Sequence, residues 1–209
     1  MLITLIERQK KKRGRYNVFL DDEFAFGASE DTLMKFGLRK NDNLSDETVE
    51  KIKDYDELSV AKDKAIKFLA YKSRTEKELR TKLKSLKISE SNIRKVIDLM
   101  IHLKYLDDAS YVKTYLENNL SNKPAGKRML KIKLAQKGIG KELIDEVLEE
   151  KYDEETETEK ARELFVKYSK KVRGKTDYDK KRKCFQYMLS RGFDYDIVKS
   201  VVNANDDDE

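Results

Sequence analysis

Six apolar positions recur three times along the chain, and nothing else in the sequence narrows the possible folds so far. Leu79, Leu83, Ile88, Ile93, Val96 and Ile97 are matched, 51 residues later and without a gap, by Leu130, Leu134, Ile139, Ile144, Val147 and Leu148. A further shift of 54 residues gives Cys184, Met188, Phe193, Val198, Val201 and Val202. Every one of these positions holds an apolar residue or a thiol, in a chain that is only 38% hydrophobic. A period of this length is the mark of one supersecondary unit used repeatedly.

Within each copy the spacing is helical. Ala61, Ala65, Phe68 and Leu69 form one stripe, Leu79, Leu83 and Leu86 a second, and Ile93, Val96, Ile97 and Met100 a third. Thr75-Glu76-Lys77-Glu78 fits a capping box, in which the Thr hydroxyl and the Glu carboxylate satisfy backbone amides at the start of the second helix. Lys87-Ile88-Ser89, Lys137-Gly138-Ile139-Gly140 and Arg191-Gly192-Phe193-Asp194 fall at equivalent points between second and third helices. The expected domains are three-helix repeats over 61–108, 109–156 and 157–209, the last ending in the acidic tail Asp206–Glu209, behind an N-terminal appendage over 1–60. Stacked repeats touch mainly their neighbours, so the expected fold is mainly α, an elongated array of three tandem three-helix repeats. Such a shape suits wrapping a partner better than enclosing a deep pocket.

The appendage reads differently. Alternation over Leu2 to Glu7, a basic linker, Tyr16 to Leu20, an Asp21-Asp22 turn and Phe24 to Phe26 predict a small three-stranded β-meander. Ser29 can cap a helix over Glu30 to Phe36 that stops at Gly37, and a second helix is expected from Ser45 towards Tyr55.

Composition bounds the chemistry. One cysteine permits no internal disulfide, and with a single histidine it supplies no ordinary zinc ligand set, so no metal site and no cofactor are expected. No stretch approaches the roughly 20 apolar residues of a membrane span, and the N-terminus has its apolar part before its charges, the reverse of a secretion signal. A cytoplasmic, non-catalytic protein is the expectation, with a monomer the simpler oligomeric state.

Charged residues make up 41% of the chain, and most are read as the solvated sides of amphipathic helices. Residues 121–141 stand out, because Lys123, Lys127, Arg128, Lys131, Lys133, Lys137 and Lys141 occur there with no acid among them. On a helix Lys127 and Lys131 lie one turn apart, as do Lys133 and Lys137, so basic flanks border the Leu130 and Leu134 seam. Their mutual repulsion is tolerated most readily where a polyanion or an acidic protein groove relieves it. Lys180, Lys181, Arg182 and Lys183 form a second basic group, diluted by Asp177 and Asp179, and the loop with Lys10, Lys11, Lys12, Arg13 and Arg15 a third. Gly138-Ile139-Gly140 admits two readings: a helix-hairpin-helix turn offering amides to a phosphate, or a plain turn whose Ile139 plugs the core. Most aromatics fall on core stripes, with Tyr16, Tyr178 and Tyr195 the exceptions. Cys184 takes the place of Leu79 and Leu130, which argues for a buried apolar role.

Taken in order, Ser73-Arg74-Thr75-Glu76-Lys77-Glu78-Leu79-Arg80-Thr81-Lys82-Leu83, Tyr105-Leu106-Asp107-Asp108-Ala109, Gly126-Lys127-Arg128, Leu134-Ala135-Gln136-Lys137-Gly138-Ile139 and Leu189-Ser190-Arg191-Gly192-Phe193 resemble the RecX family of bacterial recombination regulators. The likeness spans about residues 61–203, and Tyr16 to Gly37 resembles the extra N-terminal piece of Gram-positive members. One departure is Lys123-Pro124-Ala125-Gly126, where a Gly-Pro pair would follow the lysine. The resemblance implies a non-catalytic modulator of homologous recombination, DNA repair and the SOS response. It would bind the RecA recombinase filament on single-stranded DNA, lying in the filament groove and restraining ATPase and strand exchange. The implied partners are that filament, single-stranded DNA and, secondarily, double-stranded DNA. The alternative from the residues alone is a free-standing DNA-binding helical module acting through the basic patches and the Gly138 turn.

Overall fold

The structure, a computed structural model, describes residues 1–10, 13–122 and 124–204, apart from the side chains of residues 120–122. Lys11, Lys12, Lys123 and the acidic residues 206–209, all singled out in the sequence, lie outside the described residues. Chain order among the described residues is β1 (Ile3–Arg8), β2 (Arg15–Leu20), β3 (Glu23–Ser29), α1 (Glu30–Phe36), α2 (Asp46–Tyr71), α3 (Glu76–Ser85), α4 (Glu90–His102), α5 (Asp108–Asn122), α6 (Lys127–Gln136), α7 (Lys141–Lys151), α8 (Glu154–Ser169), α9 (Asp177–Ser190) and α10 (Tyr195–Asn203). The fold is mainly α, with three three-helix sets, α2–α4, α5–α7 and α8–α10, and an N-terminal antiparallel sheet of order β1-β2-β3. The chain forms two compact units, one made of Met1–Lys72 with Leu79–Tyr105, the other of Ser73–Glu78 with the chain from Leu106 onward.

In the first unit, Asp21 and Asp22 close the β2–β3 hairpin with φ of 48° and 69°, the pair of left-handed residues that a two-residue turn needs to match strand twist. A register shift between Ile3 and Leu5 breaks the alternation of β1, so that Ile3 is buried, Leu5 is exposed and Ile6 packs on the core. Ser29 caps α1 by accepting from the Thr32 amide, and Gly37 ends it at φ 61°. The helix that begins at the Ser45 cap does not stop near Tyr55; it runs for 26 residues through the expected junction at residue 60. Nothing between Tyr55 and Ala61 breaks a helix, and Asp56 fixes that stretch to the sheet. Its buried carboxylate accepts from Arg15 Nη1 at 2.8 Å, the Ser29 amide at 2.7 Å and Thr32 Oγ1 at 2.8 Å. With three donors, one of them a guanidinium, the buried charge is compensated. On the other side Asn92 of α4, also buried, donates to Asp54 and Glu57 of α2.

In the second unit two cores form, one around Leu116, Leu130, Leu134, Val147 and Tyr152, the other around Phe165, Met188, Phe193, Val198 and Val201. The recurring side chains of all three copies are buried except Ile88, which is half-buried. Periodicity therefore located the recurring interior because each copy buries those positions, although Leu86, expected on the second stripe, is 38% exposed.

Two equivalent joints tie successive copies within this unit. At the first, Thr75 Oγ1 donates to the Lys137 carbonyl at 2.8 Å, Lys77 Nζ donates to the Gln136 carbonyl at 3.0 Å, and Lys137 pairs with Glu78 at 2.6 Å. At the second, Gly126, 51 positions after Thr75, donates its amide to the carbonyl of Arg191, 54 positions after Lys137, at 3.1 Å. Arg191 Nη2 then donates to the Pro124 carbonyl at 2.8 Å. The start of the second helix is also capped in the same way in both places: Asp108 accepts from the Glu76 amide at 3.0 Å, and Glu157 from the Lys127 amide at 2.9 Å. Burial pushes both carboxyls above their ordinary range, and nearby acids add to this against the pull of the capped amides.

Candidate partner-binding surface

The seven-residue basic tract is acid-free in sequence but not in space. Lys131, exposed on α6, meets Asp145 of α7 at 2.5 Å, and Lys137 meets Glu78. Packing α7 against α6 brings acids from residues further along the chain, so part of the expected repulsion is already relieved. Asp145 is held below the ordinary carboxylate range chiefly by its hydrogen bond to Lys131. Burial alone would raise Glu78, but hydrogen bonds from Lys137 and the Thr75 amide, with the charges of Lys137 and Arg74, hold it low. Arg128 and Lys141 are exposed and Lys127 and Lys133 half-buried; none of these four side chains forms an ion pair among the described residues. Arg128 and the 45%-exposed Ile132 share the outward face of α6, away from buried Leu130 and Leu134.

On α9, Lys180 pairs with Asp177 at 2.8 Å, Arg182 lies 3.7 Å from Asp179, and Lys183 donates to the Arg173 carbonyl at 2.7 Å. Lys181 is half-buried on the same turn. The two basic groups are not brought into one cluster. Helix α6 meets α9 at the latter's C-terminal end, at Arg191 and Gly192, whereas Lys180 to Lys183 lie roughly 12–17 Å earlier along the helix.

The Gly138 turn follows the plainer of its two readings. Ile139 is 5% exposed and plugs the α5–α7 core. The Gly138 amide donates to the Ala135 carbonyl at 2.9 Å and the Ile139 amide to that of Leu134 at 3.2 Å, so neither is left for a phosphate. Helix α7 starts at Gly140 without a side-chain cap, but the Glu142 carboxylate sits beside that start and would repel an anion. Gly138 is required for another reason: its φ is 90°, and a Cβ there would lie 2.4 Å from the Cβ of Lys77. The sequence reading missed the capping acids Asp108 and Glu157; aligning Glu76 with Lys127 at the 51-residue shift would have marked both amides as needing equivalent acceptors. Cys184 is buried, and burial pushes its thiol up.

No described helix is long and apolar enough to cross a membrane. Repeated three-helix sets with matching joints, behind a small sheet, define a tandem helical-repeat protein. Four family models match it in order: the regulatory protein RecX N-terminal domain over residues 1–45, and the first, second and third three-helix domains of RecX over 61–98, 107–148 and 155–202. The chain belongs to the RecX family of regulatory proteins. It is 35% identical to regulatory protein RecX of Leuconostoc mesenteroides, over 99% of this chain and 78% of that one. It is 34% identical to regulatory protein RecX of Clostridium botulinum, over 96% of this chain and 94% of that one. A crystal structure of regulatory protein RecX superposes with a TM-score of 0.72 at 27% identity, covering 97% of this chain and 98% of the other. RecX from Lactobacillus salivarius superposes with a TM-score of 0.66 at 29% identity, over 73% and 98%.

Proposed function

We propose that this chain is a non-catalytic, cytoplasmic modulator of homologous recombination and DNA repair that binds the RecA recombinase assembled on single-stranded DNA, in the filament groove, and restrains its ATPase and strand exchange. The observation that carries the reading is the basic surface of α6, where Arg128 on the outward face and half-buried Lys127 and Lys133 on the two flanks of the Leu130 and Leu134 seam are held by a helix whose start is pinned by Glu157 and the Arg191 carbonyl. None of the three forms an ion pair among the described residues, although Asp153 and Glu157 lie close enough to Lys127 to feel its charge, and an acidic protein groove or a polynucleotide would add counter-charge. Lys131 and Lys137 belong less to this face, because each already has an acid partner. Lys123 and Lys141 are further candidates from the sequence, and the α9 cations Lys180 to Lys183 form a separate basic group. A monomer binding along the filament fits a chain built of repeats.

The test is inhibition of filament ATPase at substoichiometric ratios of this protein to recombinase. Reversing Lys127, Arg128 and Lys133 to Glu together should leave helicity unchanged by circular dichroism and weaken inhibition about tenfold or more. Inhibition equal to wild type would remove this face from the function.

A further inference from the structure

Helices α9 and α10 enclose a groove of about 680 Å³ whose lining is mostly apolar. Tyr178 and Phe185 form its aromatic side, and Leu189 with Val202 its base. Tyr178 is 75% exposed, so its ring is open to solvent where it lines the groove. Phe185 is held edge-on by Tyr195, with ring centroids 5.4 Å apart, so its orientation is fixed from behind. The polar rim has two kinds of group. Lys181 and Arg182 bring cations, and Gln186 from α9 and Asn203 from α10 bring side-chain amides from the two helices. Neither amide makes a hydrogen bond among the described residues, and the acid beside Arg182 is a loose 3.7 Å away.

Aromatic faces, unspent amides and cations in one groove match the three parts of a nucleotide unit. Rings stack on a base, amides meet the donors and acceptors of its edge, and cations meet the phosphate. We propose that this groove is a base-binding subsite for single-stranded nucleic acid, with Tyr178 stacking on one base, Gln186 and Asn203 bonding its edge, and Arg182 contacting the adjoining phosphate. The subsite rests on the reading of the chain as a partner of a filament on single-stranded DNA and names where the strand itself is touched. It also separates two roles of the basic residues: those at the groove hold the strand, whereas those on α6 face the recombinase.

The full chain is titrated, by fluorescence anisotropy, with labelled oligothymidylate and with an abasic deoxyribose-phosphate chain of equal length. Wild type should bind the thymidylate about tenfold more tightly, the gain expected from stacking one base. Tyr178→Ala should erase that difference while Tyr178→Phe keeps it, and Arg182→Ala should lower the salt dependence of thymidylate binding by about 0.7 in log–log slope. Because the chain has no tryptophan, Tyr178→Trp gives a single reporter whose emission should be quenched by the thymidylate and not by the abasic chain. Equal binding of both oligomers by wild type, or an undiminished preference in Tyr178→Ala, overturns the subsite. The filament ATPase assay keeps the two readings apart. Inhibition by wild type alongside a failed base preference sinks the subsite alone, and base preference without inhibition sinks the recombinase reading alone.

Discussion

The two joints of the second unit use the same positions but different chemistry. At the first, side chains span the gap: a threonine hydroxyl, a lysine and a Glu78–Lys137 ion pair. At the second, besides the Arg191 side chain on the Pro124 carbonyl, main chain meets main chain, Gly126 against Gly192, so closely that a Cβ on Gly126 would lie 2.2 Å from the Gly192 carbonyl oxygen. A docking geometry inherited by repetition can thus be kept by charge and hydroxyl groups or by the absence of a side chain. The turn of the first copy, which has no preceding helical copy to meet, shows the difference. Lys87, at the position of Gly138 and Gly192, is exposed and adopts φ 60° despite having a side chain.

If the second joint is held by backbone contact, Gly126→Ala should be the most damaging single change. The methyl group would strike backbone that has no rotamer to yield, and urea unfolding should show a loss of about 3 kcal/mol or more. A loss below about 1 kcal/mol would mean that the two segments slide apart easily. Gly138→Ala should cost less, about 2 kcal/mol, from its left-handed backbone and from contact with the Lys77 side chain. Adding Lys77→Ala should not recover that loss, because the nearest obstacle is the Cβ that alanine retains.

Glu78→Gln comes next, at about 0.5–1 kcal/mol, since solvent screens a pair whose lysine is 41% exposed. Its pH dependence carries a definite sign. The Glu78 carboxyl is lowered in the folded chain, so its contribution is full above the ordinary carboxylate value near 4.5 and fades as pH falls through the folded value. Wild-type and Glu78→Gln stabilities should therefore differ at pH 7 and converge in acid; a constant gap would rule out the ion pair as the cause. The smallest effect is expected at Lys87→Gly, a gain of about 0.5 kcal/mol as relief of the left-handed lysine slightly outweighs added chain entropy. A clear loss there would show that the Lys87 side chain has a structural task.

The interior was legible in the sequence because burial repeats: Leu79, Leu130 and Cys184 could be equated without knowing where any helix points. The meander was legible from Asp21-Asp22 and the flanking β-rich runs. The continuity of α2 was not, since Asp56 looks like any surface acid until Arg15, Ser29 and Thr32 are brought around it from residues 24 to 41 positions away. The basic tract was visible, but its partial neutralisation was not, because Asp145 and Glu78 reach it only through packing. The α9–α10 groove left one trace, Tyr178, an aromatic off the core stripes. The amides of Gln186 and Asn203 joined it only once two helices had crossed.

Helix α2 also sets a rule for anyone who would shorten this molecule. A cut at residue 60 would divide a rod about 39 Å long and orphan Asp56 from the ladder of residues that follows it. The sheet and the first trio of helices share one spine, so shortening the molecule between them breaks an element that both depend on.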